Sequence, residues 1–339
     1  MTVEQTELQE RLIAIAKRFS ECRILVVGDS IADQFIYGAI DRVSREAPVF
    51  ILKHEHTETV PGGAANCALN LASLGAQVSL VSVAGDDAAG RALVEKLKAA
   101  GVDCGGLLTS SDLQTTTKVR ILAGQLHSTR QQVIRIDYEG KPLEDAALRT
   151  QLKDNALKQI PGANAVIISD YNYGVADANI VSAVRDAAQG NTPLLADSRF
   201  RLGDFGGFTS ATPNQDEVEQ LLGKEFTDLA DLESAGKELR KRLGYRALLV
   251  TRGSNGMSLL EDGAAAVHLD AVGSHEPVDV TGAGDTVMAA YSLALASGAS
   301  FSDAARLANY AGGLVVMKRG TAAVTNEELE ASILHAEIP

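Results

Sequence analysis

Val278–Val287 reads VDVTGAGDTV and leads directly into Met288–Ala296, MAAYSLALA, a run of small and apolar residues. Three small residues, Gly282, Ala283 and Gly284, stand before this long helical pattern. Small residues leave the first N–H groups of a helix unblocked, so that these groups can converge on an anion. The stretch therefore predicts a phosphate-binding cradle at the start of a helix.

Asp285 follows the cradle and has two interpretations. It is either an ordinary cap of the helix after a glycine-rich turn, or a general base. In the second case it takes a proton from a substrate hydroxyl while the Gly-Ala-Gly amides stabilise charge on a transferring phosphoryl group. The stretch alone leaves both interpretations open, and the rest of the chain has to decide.

Length and composition describe a globular enzyme with one large or two modest domains. The chain has 339 residues, of which 45% are apolar and 22% charged. A net charge of −13 without a block of consecutive Lys or Arg argues against nucleic acid and anionic membranes as partners. The N-terminus is acidic and has no long apolar stretch, so we expect no signal peptide or membrane span and a cytoplasmic protein. Cys22, Cys67 and Cys104 are widely spaced and are interpreted as small apolar residues.

Short apolar runs alternate with helical patterns along most of the chain, which predicts a parallel sheet with helices on both faces. The predicted strands are Arg23–Gly28, Val78–Val83, Ala165–Ser169, Pro193–Asp197 and Ala247–Thr251, and the predicted helices lie near 4–19, 87–100, 177–188, 214–222 and 228–243. Asp29, Asp170, Asp197 and Thr251 stand at carboxyl ends of strands, where such sheets bind ligands. We expect an N-terminal helix at 1–20 and one main domain at 21–339.

Two stretches break this rhythm. Residues 34–60 and 115–138 show period-two alternation with no helix between the strands. They predict a small sheet, inserted in the main domain and projecting from it as a lid over the ligand edge. Apolar residues on this open sheet, Phe35, Ile36, Val49 and Ile51, suggest a dimer that covers it.

Three further motifs each have a structural and a functional interpretation. The glycines in Gly62–Asn66 suit either tight helix packing or close approach to a polyhydroxy ligand, with Asn66 binding hydroxyls. Asn214 and Glu217, three apart at a helix start, form either a cap or a water-mediated Mg²⁺ site beside a triphosphate. Thr251–Gly256 is either a hairpin turn or a loop around a nucleotide.

Two other motifs fail on their chemistry. Gly85–Ala92 has the glycine spacing of a P-loop, but Arg-Ala stands where Lys-Ser/Thr is required and two aspartates would repel phosphate. Gly28-Asp29-Ser30 suggests the Gly-Asp-Ser block of SGNH esterases. None of the six histidines has an aspartate three positions earlier, so the base that such a hydrolase needs is missing.

The glycine-rich helix opening, Asn-x-x-Glu, Thr-x-Gly-x-x-Gly and Asp-x-Thr-Gly-Ala-Gly-Asp occur here in one order. Together they resemble the ribokinase-like (PfkB) carbohydrate kinases over roughly residues 22–326. The resemblance implies a ribokinase-like three-layer α/β/α sandwich with a mostly parallel central sheet and a small projecting β-sheet lid. It also implies ATP as co-substrate, Mg²⁺ and transfer of a phosphoryl group to a sugar hydroxyl.

The same resemblance assigns roles on the nucleotide side. Asp285 is then the catalytic base, and Gly282, Ala283 and Gly284 form the anion hole. The residues implied at the ATP site are Asn214, Glu217, Thr251, Gly253, Gly256, Thr281 and Asn309. Asn214 and Glu217 would hold Mg²⁺ through water, and a monovalent cation such as K⁺ is implied near Asp279.

On the sugar side the implied residues are Asp33, Gly62, Gly63, Asn66 and Asp170. An anionic substrate needs cations under the lid, and the predicted lid elements carry Arg42, Lys118, Arg120 and Arg135. Arginine binds phosphate in a bidentate manner. Solvated strand charge is the alternative interpretation, expected for two of the four.

Finer motifs look like those of the D-glycero-β-D-manno-heptose-7-phosphate kinases. They are Tyr37-Gly38, Arg42–Ser44, Glu46–Val49, Thr117–Arg120, Gln132–Asp137 and Ser169–Tyr171. The implied reaction phosphorylates the anomeric hydroxyl of heptose 7-phosphate to the 1,7-bisphosphate, in the synthesis of ADP-heptose for lipopolysaccharide. Such kinases are often fused to a nucleotidyltransferase, and we expect only the kinase step here.

Some positions depart from this subfamily. Arg45 stands in place of a proline, Tyr173 in place of a lysine, and Ser198-Arg199 in place of Pro-Lys, while the segment 124–130 is longer than expected. These positions are expected on the sugar side, so the choice of sugar is the open question. The alternatives are a PfkB kinase for another sugar, such as ribose or fructose, and a non-catalytic sugar or nucleotide sensor.

Overall fold

A computed structural model of the chain describes residues 3–124, 130–188, 190, 192–273 and 277–335. Residues 125–129, within the segment expected to be longer than usual, lie outside the described residues. In chain order the strands are β1 (Arg23–Gly28), β2 (Ser30–Val43), β3 (Phe50–Gly63), β4 (Gln77–Gly85), β5 (Asp103–Ser110), β6 (Thr117–Gly124), β7 (Gln131–Tyr138), β8 (Ala165–Asp170), β9 (Leu194–Ser198), β10 (Ser210–Ala211), β11 (Ala247–Thr251), β12 (Met257–Glu261) and β13 (Val267–Leu269). The helices are α1 (Val3–Ala16), α2 (Ala64–Ser73), α3 (Ala88–Ala99), α4 (Ala146–Gln159), α5 (Ala178–Ala187), α6 (Gln215–Leu222), α7 (Leu229–Leu243), α8 (Ala283–Ala296), α9 (Phe301–Val315) and α10 (Asn326–His335).

The central sheet is mostly parallel. Among the described residues it has nine strands in the order β13-β12-β11-β10-β9-β8-β1-β4-β5, and only the β11–β12 and β12–β13 pairs are antiparallel. Strand β1 is the third strand from the β5 edge and is paired in parallel with β4 and β8. The carboxyl ends of these strands therefore meet at one edge, the place where such sheets bind ligands.

Alternate residues of the central strands bury against different helix layers. In β1, Ile24 and Val26 pack in one apolar cluster with α2, α8 and α9, whereas Leu25 and Val27 pack in another with α4, α5 and α7. Successive side chains of a strand point to opposite faces, so a strand that is apolar throughout needs cover on both sides. This arrangement confirms the three-layer α/β/α sandwich.

The lid is a separate small sheet. Within the part of the chain that the structure describes, it has four strands in the order β3-β2-β6-β7. Strand β2 follows β1 after one residue, and β3 leads directly into α2, so both ends of the β2–β3 pair join the body beside the carboxyl end of β1. The lid therefore projects over the ligand edge, as the period-two stretches predict.

The N-terminal helix α1 packs on the body. Leu12, Ile15 and Ala16 are buried in the cluster that includes α9 and α10. Arg11 makes two hydrogen bonds of 3.0 Å to the Asp303 carboxylate on α9. The domain boundary near residue 20 stays a prediction.

Helix α8 is apolar on every side, and nearly all of its residues are buried. It lies between α2 and α9, which explains why MAAYSLALA has no polar face. Among the described helices, none has the length and apolar character that crossing a membrane requires.

Candidate active site

A cavity of about 440 Å³ opens at the carboxyl ends of the central strands, beneath the lid. Its wall is built from the strand ends, the lid strands β2, β3 and β6, the starts of α6 and α8, and the segment between α9 and α10. The predicted site residues on this wall are Asp33, Gly63, Lys118, Arg120, Asp170, Asn214, Glu217, Thr251, Thr281, Gly282, Gly284 and Asp285. Residues from widely separated motifs thus meet at one place.

Asp285 is the third residue of α8, and its side chain is only 5% exposed. Asn66 Nδ2 donates a hydrogen bond to Oδ2 at 2.7 Å, and the hydroxyl of Tyr171 donates one to Oδ1 at 2.9 Å. The helix itself begins after Gly282, which has no side chain to cap it. The carboxylate therefore interacts with α2 and the loop after β8, and it is not the cap of its own helix.

The burial of Asp285 makes its carboxylate more basic than that of an exposed aspartate. Burial raises the pKa of Asp285 to about 6, the hydrogen bonds from Asn66 and Tyr171 lower it, the Asp33 carboxylate raises it, and the Lys118 ammonium lowers it. A carboxylate with this pKa is more basic than an ordinary aspartate and is still mostly ionised at neutral pH. Its protonation thus suits proton removal from an alcohol.

Asn66 belongs to a buried network around Asp285. Its side chain is fully buried and does not line the cavity. Asn70 Nδ2 donates to Asn66 Oδ1 at 3.1 Å, and the Thr286 hydroxyl donates to Asn70 Oδ1 at 2.9 Å. These bonds orient the amide of Asn66 so that its NH₂ group faces Asp285. The structure therefore places the Asn66 amide against the Asp285 carboxylate, and its contact with sugar hydroxyls stays a prediction.

Two glycines of the α2 opening allow the lid to approach the body closely. A Cβ on Gly62 would lie 2.4 Å from Asp33 Oδ2, and one on Gly63, whose φ is +59°, would lie 2.5 Å from the carbonyl oxygen of Asp29. Gly63 lines the cavity and Gly62 lies behind Asp33. The packing interpretation of these glycines thus holds, and it leaves the Asp33 carboxylate at the cavity wall.

The cations of the cavity fall into two kinds. Arg120 is largely but not fully buried and forms an ion pair with Asp33, and its guanidinium lies 5.4 Å from the centre of the Phe35 ring. Lys118 and Arg199 line the same cavity, and neither makes an ion pair with any described residue. Burial lowers the pKa of Lys118, and the Asp33 carboxylate opposes this effect. Lys118 and Arg199 are therefore the cations available to an anionic ligand.

Arg42 and Arg135 do not line the cavity. Arg42 lies near the end of β2, where it is 68% exposed and paired with Asp41. Arg135 on β7 is 52% exposed and paired with Asp137. We expected two of the four lid cations to be solvated charges on the strands. The exposure and the ion pairs of Arg42 and Arg135 fit this interpretation.

Asp170 is at the cavity, but its carboxylate is engaged by the protein. The Ser198 hydroxyl donates to Oδ2 at 2.7 Å, and Arg201 Nη1 lies 3.4 Å from Oδ1. The side chain of Asp170 is fully buried. These contacts give it a structural role in joining the ends of β8 and β9.

Asn214 and Glu217 form a reciprocal cap at the start of α6. The Glu217 N–H donates to Asn214 Oδ1 at 2.8 Å, and the Asn214 N–H donates to Glu217 Oε2 at 2.9 Å. Both residues also line the cavity. The capping interpretation is thus realised, and because each side-chain oxygen keeps a further lone pair it does not exclude the water-mediated metal site.

A second cavity of about 180 Å³ adjoins the first, and Thr251, Val280 and Gly284 line both. Its walls are mainly apolar and include Gly253, Gly256 and Asn309, which were predicted at the nucleotide site, and Ala283, which was predicted in the anion hole. An apolar slot with a few polar groups suits a purine ring.

Gly253 and Gly256 flank the tight turn between the antiparallel strands β11 and β12, so Thr251–Gly256 is both a hairpin turn and part of this wall. Gly256 has φ +81°, and a Cβ there would lie 1.9 Å from the carbonyl oxygen of Leu269. Only glycine fits this position without moving the neighbouring backbone.

Asp279 holds the loop before α8. Its Oδ1 accepts from the Thr281 N–H at 2.9 Å and its Oδ2 from the Gly320 N–H at 2.9 Å. Burial raises the pKa of Asp279, but these backbone hydrogen bonds outweigh burial, so the pKa lies below its ordinary value. Asp279 is therefore an ionised anchor beside the cradle.

Sequence reasoning assigned no role to several residues of the cavity wall, among them Tyr171, Arg199, Thr212 and Thr321. Tyr171 and Arg199 each follow a central strand directly, and this position was the available signal. Thr321 comes from the segment between α9 and α10, which carries no motif, so only the fold reveals it.

Gly282 and Gly284 form a matched pair for testing the cradle. A Cβ on Gly282, whose φ is +77°, would lie 2.6 Å from Asn66 Nδ2, whereas one on Gly284 meets nothing within 4 Å. We expect Gly282→Ala to lower the unfolding temperature and to reduce kcat about 100-fold, because it displaces the amide that holds Asp285.

Gly284→Ala is the control for the fold. We expect an unchanged unfolding temperature and a raised KM for ATP, because its methyl group projects into the space shared by the two cavities. Calorimetry and steady-state kinetics measure both effects. An equal loss of thermal stability in the two variants would contradict the role given to Gly282.

The chain is similar to known proteins along most of its length. The profile described as pfkB family carbohydrate kinase matches residues 23–328. The chain is 41% identical over 319 residues to bifunctional protein HldE of Pseudomonas aeruginosa strain LESB58, which covers 93% of the chain and 64% of that protein. It is 40% identical over 320 residues to HldE of Aeromonas hydrophila, and this match covers 94% of the chain and 65% of that protein. The chain thus spans slightly less than two thirds of the length of these relatives.

Solved structures show the same fold at low identity. The ribokinase of Arabidopsis thaliana complexed with ribose and ATP superposes with a TM-score of 0.71 at 21% identity, covering 93% of this chain and 99% of that one. Phosphofructokinase-2 from Escherichia coli in complex with substrates and products superposes with a TM-score of 0.77 at 20% identity and with the same coverage. The complex of that enzyme with potassium superposes with a TM-score of 0.74 at 21% identity. These superpositions confirm the ribokinase-like fold. Together with the profile match over residues 23–328, they establish that this chain belongs to the pfkB family of carbohydrate kinases.

Proposed function

We propose that the protein transfers the terminal phosphoryl group of ATP to the anomeric hydroxyl of D-glycero-β-D-manno-heptose 7-phosphate, giving the 1,7-bisphosphate. The observation that carries this proposal is the buried Asp285 carboxylate in the first turn of α8, at the junction of a polar cavity and an apolar one. The lid motifs that resemble heptose-7-phosphate kinases and the similarity to HldE proteins support the choice of sugar.

The chemistry follows from the geometry of the first turn. Asp285 accepts the proton of the sugar hydroxyl as the sugar oxygen forms a bond to phosphorus. The bond between that phosphorus and the bridging oxygen of ADP breaks, and ADP leaves. The N–H groups that follow Gly282 point along the start of α8 and stabilise the negative charge of the transferring group.

Unpaired cations support an anionic acceptor. Lys118, on the lid, and Arg199, after β9, line the polar cavity from two sides without an acidic partner among the described residues. The acidic residues of the cavity wall are Asp33, Asp170, Asp197, Glu217 and Asp285. Without such cations these carboxylates would repel both ATP and a sugar phosphate.

Mg²⁺ fits this site through water. In the described ranges no group of three or more His, Cys, Asp or Glu side chains is placed to hold a metal ion directly. Asn214 and Glu217 keep free lone pairs at the cavity wall, which suits a hydrated ion bound mainly by phosphate oxygens. When bound, the ion would neutralise charge on the triphosphate.

Glu217→Gln tests this role. The glutamine keeps the reciprocal cap but carries no charge, so we expect the Mg²⁺ concentration for half-maximal activity to rise about tenfold at constant ATP. Glu219→Gln, on the same helix, is the control because Glu219 does not line the cavity. An unchanged Mg²⁺ titration for Glu217→Gln would assign the metal to other groups.

A monovalent cation beside Asp279 is also part of the proposal. Its support is the ionised Asp279 carboxylate near the cradle and the potassium complex of phosphofructokinase-2 from Escherichia coli. Replacing K⁺ by Na⁺ at constant ionic strength is expected to lower kcat. Equal rates in both salts would remove K⁺ from the description.

The pH dependence should follow Asp285. Because the base acts only when ionised and its pKa is about 6, kcat/KM is expected to fall tenfold per pH unit below about pH 6 and to level off above it. An ordinary aspartate would place this fall near pH 4. Initial rates between pH 5 and 8, with thermal stability followed in parallel, measure the effect. A profile flat down to pH 5 would contradict the assignment of the base.

A substrate panel tests the choice of sugar. Heptose 7-phosphate, fructose 6-phosphate, fructose and ribose are each incubated with ATP and Mg²⁺, and ADP release is measured. We expect the highest kcat/KM for heptose 7-phosphate. Turnover of ribose or fructose alone would select the second candidate, a kinase for another sugar, which the substitutions Tyr173 and Arg199 favour. ATP binding without turnover of any sugar would favour a sensor.

We further propose that the protein forms a homodimer through the lid sheet. Apolar side chains are exposed on it, including Val49 and Phe50 on or beside β3 and Val133, Ile134 and Ile136 on β7. Of the residues that suggested a dimer from the sequence, Val49 is exposed, whereas Phe35 is buried inside the monomer. Ile134→Glu is expected to shift the mass in analytical ultracentrifugation from dimer to monomer. A monomeric wild-type protein would contradict the proposal.

A further inference from the structure

The two oxygens of Asp285 each receive one hydrogen bond, and the donors come from different parts of the fold. Asn66 on α2 donates to Oδ2, and the hydroxyl of Tyr171, in the loop between β8 and α5, donates to Oδ1. Asp285 is the base in the function proposed above, and Asn66 was already a candidate residue of the site. Tyr171 has no role in the function proposed above.

The loop that carries Tyr171 is anchored by a buried carboxylate. Asp29, directly after β1, is 1% exposed and accepts backbone N–H groups from Tyr171 at 2.9 Å, Tyr173 at 3.0 Å and Val175 at 3.0 Å. Three such bonds satisfy a buried carboxylate without a cation. Between them Asn172 has φ +65°, a left-handed conformation that non-glycine residues rarely adopt. The backbone of this loop is therefore held in one conformation.

We propose that Tyr171 is a positioning residue for the base: its hydroxyl, fixed by the Asp29-anchored loop, holds the Asp285 carboxylate in the orientation that accepts the proton of the sugar. This inference rests on the proposed function of Asp285. It adds a second support to the one supplied by Asn66, and the two supports approach the carboxylate from different elements.

The protonation states are consistent with this role. Burial raises the pKa of the Tyr171 hydroxyl well above its usual value, so it keeps its proton and remains a donor. Its hydrogen bond stabilises the ionised form of Asp285 against the effect of burial. Other titratable or charged groups that act on Asp285 are Asp33 and Lys118 on the lid, Asp197 at the end of β9 and Cys67 on α2.

Tyr171→Phe removes the hydroxyl and keeps the ring. We expect the acid limb of kcat/KM to move up by about one pH unit, because a hydrogen bond to the charged form is lost. We also expect kcat at pH 7 to fall by about 10-fold to 100-fold, with the KM for ATP changed by less than about twofold. Loss of packing alone would lower stability without moving the acid limb.

Tyr173→Phe is the matched control. Tyr173 belongs to the same loop and its backbone N–H also binds Asp29, but its hydroxyl donates to Glu139 at 2.6 Å, away from Asp285. The acid limb of this variant is expected to coincide with that of the wild type. A displacement of equal size in both variants would show that the loop, and not the Tyr171 hydroxyl, affects the base, and would overturn the proposal.

A measurement without substrate separates this inference from the proposed function. The protonation of Asp285 is followed by infrared difference titration, with Asp285→Asn as the reference in the wild-type and Tyr171→Phe backgrounds. We expect a higher midpoint in Tyr171→Phe. An unchanged midpoint, or a kcat equal to or above that of the wild type, would overturn the positioning role even if the kinase is active. Absence of sugar turnover in the wild type with a shifted midpoint would instead contradict the proposed function.

Discussion

Asp285→Asn is expected to reduce kcat about 1000-fold while the protein remains folded and binds ATP. General bases contribute about 10²-fold to 10⁴-fold to such reactions, and asparagine has the shape of aspartate without its basicity. The hydroxyl of Tyr171 can turn and accept a hydrogen bond from the new NH₂ group, while Asn66 continues to donate to the remaining oxygen. The variant thus loses the base and keeps its contacts.

The thermal stability of Asp285→Asn is not expected to fall with its activity. The pKa of Asp285 is raised to about 6 in the fold, above its value of about 4 in the unfolded chain. The folded state therefore disfavours the ionised form. Its stability falls as pH rises from about 4 to 6, and the cost then stays constant above pH 6. Asparagine does not ionise, so at pH 7 the variant should unfold at the same temperature as the wild type or higher.

Three measurements complete this test: single-turnover rates, calorimetry at pH 7 and titration with a non-hydrolysable ATP analogue. Unchanged analogue binding together with the loss of turnover would assign Asp285 to the chemical step. A variant that retains more than about a tenth of the wild-type rate would show that another group removes the proton.

Arg120→Ala should cause the second large effect, and Arg135→Ala should cause almost none. The two arginines lie directly opposite each other on the neighbouring strands β6 and β7. Arg120 is 13% exposed and paired with the buried Asp33, whereas Arg135 is 52% exposed and paired with Asp137. From the sequence both arginines were candidates for binding the substrate phosphate. Comparing the two variants therefore distinguishes the effect of a cation at the cavity from that of a solvated one.

Removal of Arg120 leaves the Asp33 carboxylate buried without its cation. Breaking a buried pair in this way costs about 3–5 kcal/mol, and an interaction of about 3 kcal/mol at the substrate corresponds to about a 100-fold change in kcat/KM. We therefore expect a lower unfolding temperature and at least this loss in kcat/KM for the sugar. An exposed pair is worth about 0–1 kcal/mol, so Arg135→Ala should change kcat/KM by less than about threefold.

Rates are best compared well below the unfolding temperature of Arg120→Ala, so that unfolding does not contribute to the loss. A large increase in the KM for the sugar in Arg135→Ala would mean that the lid closes and brings β7 onto the substrate. Equal, small effects of both substitutions would remove the Asp33–Arg120 pair from the sugar site.

Local patterns were sufficient for the class of fold. Each predicted central strand is present within about two residues of its predicted ends, because a parallel strand buried on both faces is apolar throughout. The short strand β10 and the strands β5, β12 and β13, which lie at or next to the sheet edges, were not predicted. What keeps them in the sheet is pairing with neighbouring strands, a non-local interaction.

In the candidate site, too, local features were predicted from the sequence and non-local contacts were not. The small residues before α8 predicted the cradle, since the properties of a helix N-terminus depend on neighbours in the chain. In contrast, Asn66 meets Asp285 across 219 positions and Tyr171 meets it across 114. No spacing rule links such residues.

The sequence by itself determined that this protein is an α/β sandwich, that small residues and an acid stand at the start of one helix, and that a lid carries cations. Only the tertiary structure decided which residues meet: that Asn66 and Tyr171 donate hydrogen bonds to Asp285, that Arg120 and not Arg135 lines the cavity, and that Asp170 is engaged by Ser198 and Arg201. The physical reason is that propensity and capping act between neighbours along the chain, whereas burial and the pairing of charges depend on elements that meet only in the folded state.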